Sequence, residues 1–170
     1  MLDNRFAKLP RPSVGRWHML LLFAVALASN TALAANPDPA FALCGGHAAE
    51  HGDWVNAEPN ASGIARIELR DCQPVTTCSG GTCTTTHDAG WTMRVFGRCS
   101  PTDCDWGWTL GAFRLSSGQI PGYYDQGFAK RYVYAKMSQY RPGQLWVYWR
   151  TDFTDPNRAD YDRHEWFRRA

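Results

Sequence analysis

The chain of 170 residues carries 18 Lys and Arg against 16 Asp and Glu, and 44% of it is hydrophobic. Four of those cations but only one of the anions fall in the first 34 residues, leaving a near-neutral remainder of 14 cations and 15 anions. The sequence pI of about 8.2 is therefore a property of the N-terminal segment, and no basic stripe remains of the kind that marks a nucleic-acid-binding face.

Residues 1–34 have the form of a secretory signal peptide. Arg5, Lys8, Arg11 and Arg16 precede an apolar run from Met19 to Ala28, and Ala32-Leu33-Ala34 supplies a small-residue cleavage site. The run is shorter than the roughly 20 residues a membrane span needs. Export to the periplasm or beyond the cell, with no membrane span, is the expectation. Residues 35–51 are rich in Ala, Pro and Gly without periodicity and read as an N-terminal arm. One domain, 52–170, follows without an internal linker or repeat.

Strand signals dominate that domain. Ala65, Ile67 and Leu69 alternate with Arg66, Glu68 and Arg70, and Trp91, Met93 and Val95 alternate with Thr92 and Arg94. Leu145, Val147 and Trp149 do the same with Gln144, Tyr148 and Arg150. This period of two places one face in a core and the other in water. Further strands are expected at 106–115, 128–137 and 161–168. Turn formers separate them at 71–74, 79–81, 88–90, 117–118, 142–143 and 155–157. No window of helical length carries a comparable apolar stripe. The fold class is all-β: a single small antiparallel barrel of calycin-like shape, or a sandwich.

Pro142 and Gly143 suit the centre of a type II turn, which sets Arg141 opposite Gln144. That register puts Tyr132 and Tyr134 on the inner face with Val147, Trp149, Thr151 and Phe153, and leaves Arg131 outside with Tyr148, Arg150 and Asp152.

All six cysteines, Cys44, Cys72, Cys78, Cys83, Cys99 and Cys104, follow the signal segment. An even count in an oxidising compartment argues for three disulfides, with 15 connectivities open. The shortest loops join Cys78 to Cys83 and Cys99 to Cys104, leaving Cys44 for Cys72. Four thiolates at a metal are the competing reading, but the gaps are looser than zinc knuckles use.

Two resemblances bear on the domain. Gly52-Asp53-Trp54, at the start of the first strand, resembles the G-x-W signature of lipocalin and avidin-like barrels. The resemblance implies that Trp54 closes one barrel end and packs against a late arginine, Arg163 or Arg168. Gly52 to Asn56, Gly63 to Ile67, Cys99-Ser100-Pro101-Thr102-Asp103-Cys104-Asp105-Trp106-Gly107, and 153–161 together are similar to a group of uncharacterised exported bacterial domains with a C-x-P-T-D-C-x-W-G core. That second likeness implies domain limits and export, and no activity.

No catalytic constellation stands out. His47-Ala48-Ala49-Glu50-His51 matches the H-x-x-E-H pattern of inverted zinc peptidases, but glycines flank it and no long helix is available to align the two histidines. Asp103 and Asp105 suit a disulfide-clamped turn better than acid–base chemistry, and the acidic run Asp152, Asp155, Asp160, Asp162 lacks the spacing of a calcium loop. No metal or cofactor is expected.

The 23 aromatic residues are more than a small core needs. Turned inward, Trp54, Tyr132, Tyr134, Trp149 and Phe153 would line a cavity for a small or apolar ligand. A non-catalytic, exported binding protein of that kind is the leading expectation. Turned outward, Trp146, Tyr148 and Trp166 would stack on sugar rings or meet another protein, giving a carbohydrate-binding or protein-interaction module. A zinc hydrolase using His47, Glu50 and His51 comes third.

Overall fold

A computed structural model describes residues 46–58, 60 and 63–170. The expected signal peptide and Cys44, with its pairing to Cys72, lie outside the described residues. Alternating sequence becomes eight strands: β1 Gly52–Asn56, β2 Ile64–Ser79, β3 Thr82–Gly97, β4 Cys104–Trp108, β5 Ile120–Asp125, β6 Ala129–Met137, β7 Leu145–Phe153 and β8 Tyr161–Arg169. They form one sheet in the order β4-β3-β2-β1-β8-β7-β6-β5, antiparallel at every described pairing. Pairing β1 with both β2 and β8 curls the sheet into a nearly closed barrel.

The two edges are drawn together by the 109–119 connection. Thr109 donates its backbone N–H to the Met93 carbonyl (2.8 Å), Trp91 and Ala112 exchange backbone bonds, and the Tyr124 hydroxyl of β5 donates to the same Met93 carbonyl of β3 (2.9 Å). Such cross-links satisfy edge groups that an open sheet leaves unpaired. Among the described residues no helix is long and apolar enough to cross a membrane.

The core follows the alternation. Ala65, Ile67 and Leu69 are buried, with Met93, Val95, Val133, Ala135, Leu145, Val147 and Phe167. Glu68, expected in water, is also buried, because Arg66 (2.9 Å), Arg94 (3.9 Å) and Arg70 (4.0 Å) close over its carboxylate.

Two expected turns are something else. The chain continues through 71–74 and 88–90 as a single long β2–β3 hairpin, with register shifts between Arg70, Gln73 and Val75 and positive φ at Cys72 (58°) and Asp88 (59°). They are facing bulges, which bend a hairpin without ending it. The real turn is at Gly80-Gly81, beside the cross-strand disulfide Cys78–Cys83. Cys99–Cys104 clamps the loop before β4, so both local pairings form.

The β6–β7 register corrects the expected one. The turn with Gln144 N–H on the Arg141 carbonyl is present, and Gly143 takes the positive φ (76°) it requires. The ladder, however, ends at Met137↔Leu145, and Ser138 through Gln144 form a longer loop. Ser138 Oγ accepts the Tyr140 and Arg141 N–H groups there. The sum of paired positions changes by an odd number, which exchanges the faces of β6. Arg131, Val133 and Ala135 turn inward, whereas Tyr132 faces Arg150 and Tyr134 faces Tyr148 on the outer surface.

Candidate functional site

A cluster of buried side chains occupies the barrel interior. Trp54, fully buried, donates its indole N–H to the Glu50 carbonyl (2.8 Å) and lies under the Arg169 guanidinium (4.2 Å). Arg169, not Arg163 or Arg168, makes this contact because it is the direct cross-strand partner of Trp54. Arg168 pairs with Val55 and so takes the opposite face, and Arg163 sits opposite Trp149 at the other end of β8.

At that end Trp149 packs edge-on against Trp106 (6.5 Å) and Tyr161 (5.4 Å), while Phe153 meets Tyr161 (5.9 Å). Arg131 is the occupant of this aromatic box, 4.4 Å over Trp106 and 5.8 Å over Trp149, and it donates to Gln126 (2.9 Å). Burial lowers its pKa, though an arginine remains charged. Of the five expected ligand-lining residues, Trp149 and Phe153 therefore share one end with Arg131 between the rings, Trp54 belongs to the core, and Tyr132 and Tyr134 are outside.

Beside the box, Glu165 accepts Asn56 Nδ2 (2.9 Å) and the Ile64 N–H (3.4 Å). Burial raises its pKa, against the lowering effect of those donors and of Arg163 and Arg98. A Cβ at position 63 would lie 2.5 Å from Glu165 Oε1 and 2.9 Å from Trp149 Cζ2, so any side chain where the chain enters β2 would force both to shift.

The outer face of β5–β8 carries the aromatic residues the interior does not use. Cross-strand pairing aligns Lys136, Trp146 and Trp166 in one row, Pro121, Tyr134, Tyr148 and His164 in the next, and Tyr123, Tyr132, Arg150 and Asp162 in a third. Trp146 and Tyr148, two apart on β7, hold nearly parallel rings, with centroids 6.3 Å apart and planes at 13°. Tyr148 reaches Tyr134 (6.1 Å), and Tyr132 reaches Tyr123 (5.3 Å). Two grooves lie along this strip. One of about 350 Å³ is walled by Lys136, Tyr140, Trp146, His164 and Trp166, and one of about 260 Å³ by Leu110, Pro121, Tyr123, Tyr132 and Tyr134. Lys136 Nζ stands 5.4 Å from the Trp146 ring and Arg141 covers Trp166 at 4.0 Å.

The described part of the expected arm, residues 46–51, is fastened to the barrel. Glu50 forms a two-pronged ion pair with Arg114 (2.9 and 3.1 Å). Burial pushes the Glu50 carboxyl up, but Arg114 and backbone donors more than offset it and hold it below its ordinary value. His47 and His51 stack at 3.7 Å and both direct Nδ1 at Asp71 Oδ1 (2.7 and 2.6 Å), while Asp71 Oδ2 accepts the Ala48 N–H (2.8 Å). Burial acts to raise the Asp71 carboxyl, and those donors bring it below its usual range. The H-x-x-E-H histidines thus meet, in a turn rather than on a helix, and Glu50 points to Arg114 instead of joining them. Asp71 was missed because nothing in the local pattern links it to residues 20 and 24 positions earlier.

The fold and surface define the class: an eight-stranded antiparallel barrel, nearly closed, with a buried hydrophobic core and an aromatic outer belt. Comparison with protein-family models, with curated proteins and with solved structures finds no match to this chain.

Proposed function

We propose that the chain is an exported, non-catalytic carbohydrate-binding module whose ligand is an extended, neutral saccharide lying along the β5–β8 aromatic strip. The carrying observation is the parallel Trp146–Tyr148 pair continued through Tyr134, a row of aromatic rings joining two grooves on one open face. Aromatic faces take the apolar faces of pyranose rings, and the rim hydroxyls, His164 and Lys136 offer hydrogen bonds to the ring substituents. The strip is amphipathic rather than aliphatic, and its length suits a chain more than a single sugar. Two disulfides fit an oxidising destination, and the signal-like segment supports export.

The test is affinity electrophoresis through soluble glucan, mannan, xylan and galactan. Retardation by one of them, reduced about tenfold or more by Trp146→Ala and by Tyr148→Ala, supports the reading; stacking on one ring contributes about 1–2 kcal/mol. No retardation by any polymer, or retardation unchanged by both substitutions, overturns it.

One observation favours a second reading, a small polar ligand inside the barrel end. Trp149 Nε1 and Thr151 Oγ1 are buried there without a hydrogen-bond partner, and buried polar atoms are ordinarily satisfied. Binding lost in Thr151→Val but kept in Trp146→Ala would transfer the function to that end.

A further inference from the structure

We propose that His47, His51 and Asp71 form a zinc site that pins the N-terminal segment to the barrel. The three ligand atoms already converge: both Nδ1 atoms lie within 2.7 Å of one carboxylate oxygen, and the whole set falls within 4.8 Å. The site is independent of the saccharide strip.

Hydrogen bonding alone leaves one conflict at His51 Nδ1. Each Nδ1 must carry a proton to donate to Asp71 Oδ1, yet the Asp71 N–H also points at His51 Nδ1 (3.4 Å), where a second hydrogen would oppose it. A divalent ion resolves the conflict, because it takes the lone pairs of two neutral imidazoles and an ionised carboxylate at once. Two imidazoles and one carboxylate are a first-row donor set that zinc accepts in tetrahedral geometry with an open fourth position.

The required adjustment is small. Zinc–ligand bonds of about 2.0 Å separate tetrahedral ligands by about 3.3 Å, so each N···O gap must open by about 0.6 Å. His47, with 61% of its side chain exposed, has room to rotate out of the stack, while the 5%-exposed Asp71 stays fixed. Asp71 Oδ2 is already held by the Ala48 N–H, the kind of outer bond that orients a ligating carboxylate. Glu50, committed to Arg114, is not a ligand and does not activate a water here. The inferred role is structural: a cross-link between residues 47–51 and the β2 bulge.

Equilibrium dialysis of tag-free full chain against zinc, after chelator treatment, tests this. One zinc retained per chain, with affinity falling roughly 100-fold in His47→Ala and in Asp71→Asn but kept in Glu50→Gln, is the expected result; zinc also raises the melting temperature of the wild type and not of His47→Ala. His47→Ala is a change at an exposed side chain, so it keeps the test valid should Asp71→Asn fail to fold. No stoichiometric uptake by the wild type, or uptake unchanged in His47→Ala, overturns the proposal. Dependence on Glu50 together with both histidines overturns the ligand set.

Discussion

Val133 and Trp149 face each other across β6 and β7 as direct partners, both buried, and that pairing turns Tyr132 and Tyr134 out of the barrel. Rings that would have lined a cavity become an outer surface, and the inward position between Tyr132 and the strand's start is held by Arg131 among the aromatic rings of the barrel end.

Arg131→Ala should therefore leave a cavity among Trp106, Trp149 and Tyr161. A loss of about 2–3 kcal/mol is expected from the cation–π contacts and the void together, with Arg131→Met recovering part of it by volume alone. Urea unfolding midpoints measure both, and an Arg131→Ala protein as stable as the wild type would contradict the interior described here.

Arg169 holds Trp54 from above and bonds the Ala49 and His51 carbonyls. Arg169→Ala should cost about 1–2 kcal/mol, because those bonds are partly exposed to water, while Arg168→Ala on the opposite face should cost less than about 0.5 kcal/mol. Equal effects of the two substitutions would place the late-strand contact on the wrong arginine.

Glu165 sets a pH dependence of definite sign. Its folded pKa is raised by burial above the ordinary 4.5, so the stability it contributes is full below the unfolded pKa and is lost as pH rises through the folded one. The stability of Glu165→Gln minus that of the wild type should grow as pH rises through that range and level off above it. Denaturant titrations from pH 4 to about pH 8 report the difference directly, and a difference that shrinks with rising pH would contradict the burial argument.

The Cys78–Cys83 hairpin tip is exposed and projects beyond the bulges. A short disulfide loop constrains the free chain by about 2 kcal/mol, but a segment that unfolds locally contributes little to the global transition. Replacing both cysteines by Ser should leave the barrel's unfolding midpoint nearly unchanged while increasing amide exchange at 76–86. A large drop in the midpoint would show that the tip and barrel unfold as one unit.

Much of the barrel is legible in the residues because period-two alternation is a local signal: Ile67 and Leu69, or Met93 and Val95, announce their own face. The short-loop disulfides are legible for the same reason. β5 is not, since Pro121-Gly122 reads as a break. It is tolerated because β5 is an edge strand, where Pro forfeits no ladder bond on its open side, and because Gly122 lets Met93 approach. The bulges at Cys72 and Asp88 look like turns because turns and bulges draw on the same residues. The β6–β7 register was lost to three extra loop residues, which Pro142-Gly143 gives no hint of. The His47, His51 and Asp71 grouping depends on one of those bulges and so appears only once the chain is folded.

The most direct test of the central claim follows the tryptophan indole N–H resonances while a retained saccharide is added. The signals of Trp146 and Trp166 should shift with saturation, and those of Trp54 and Trp149 should stay in place. Movement of Trp149 with Trp146 unchanged would contradict an outer-face site and put the ligand inside the barrel.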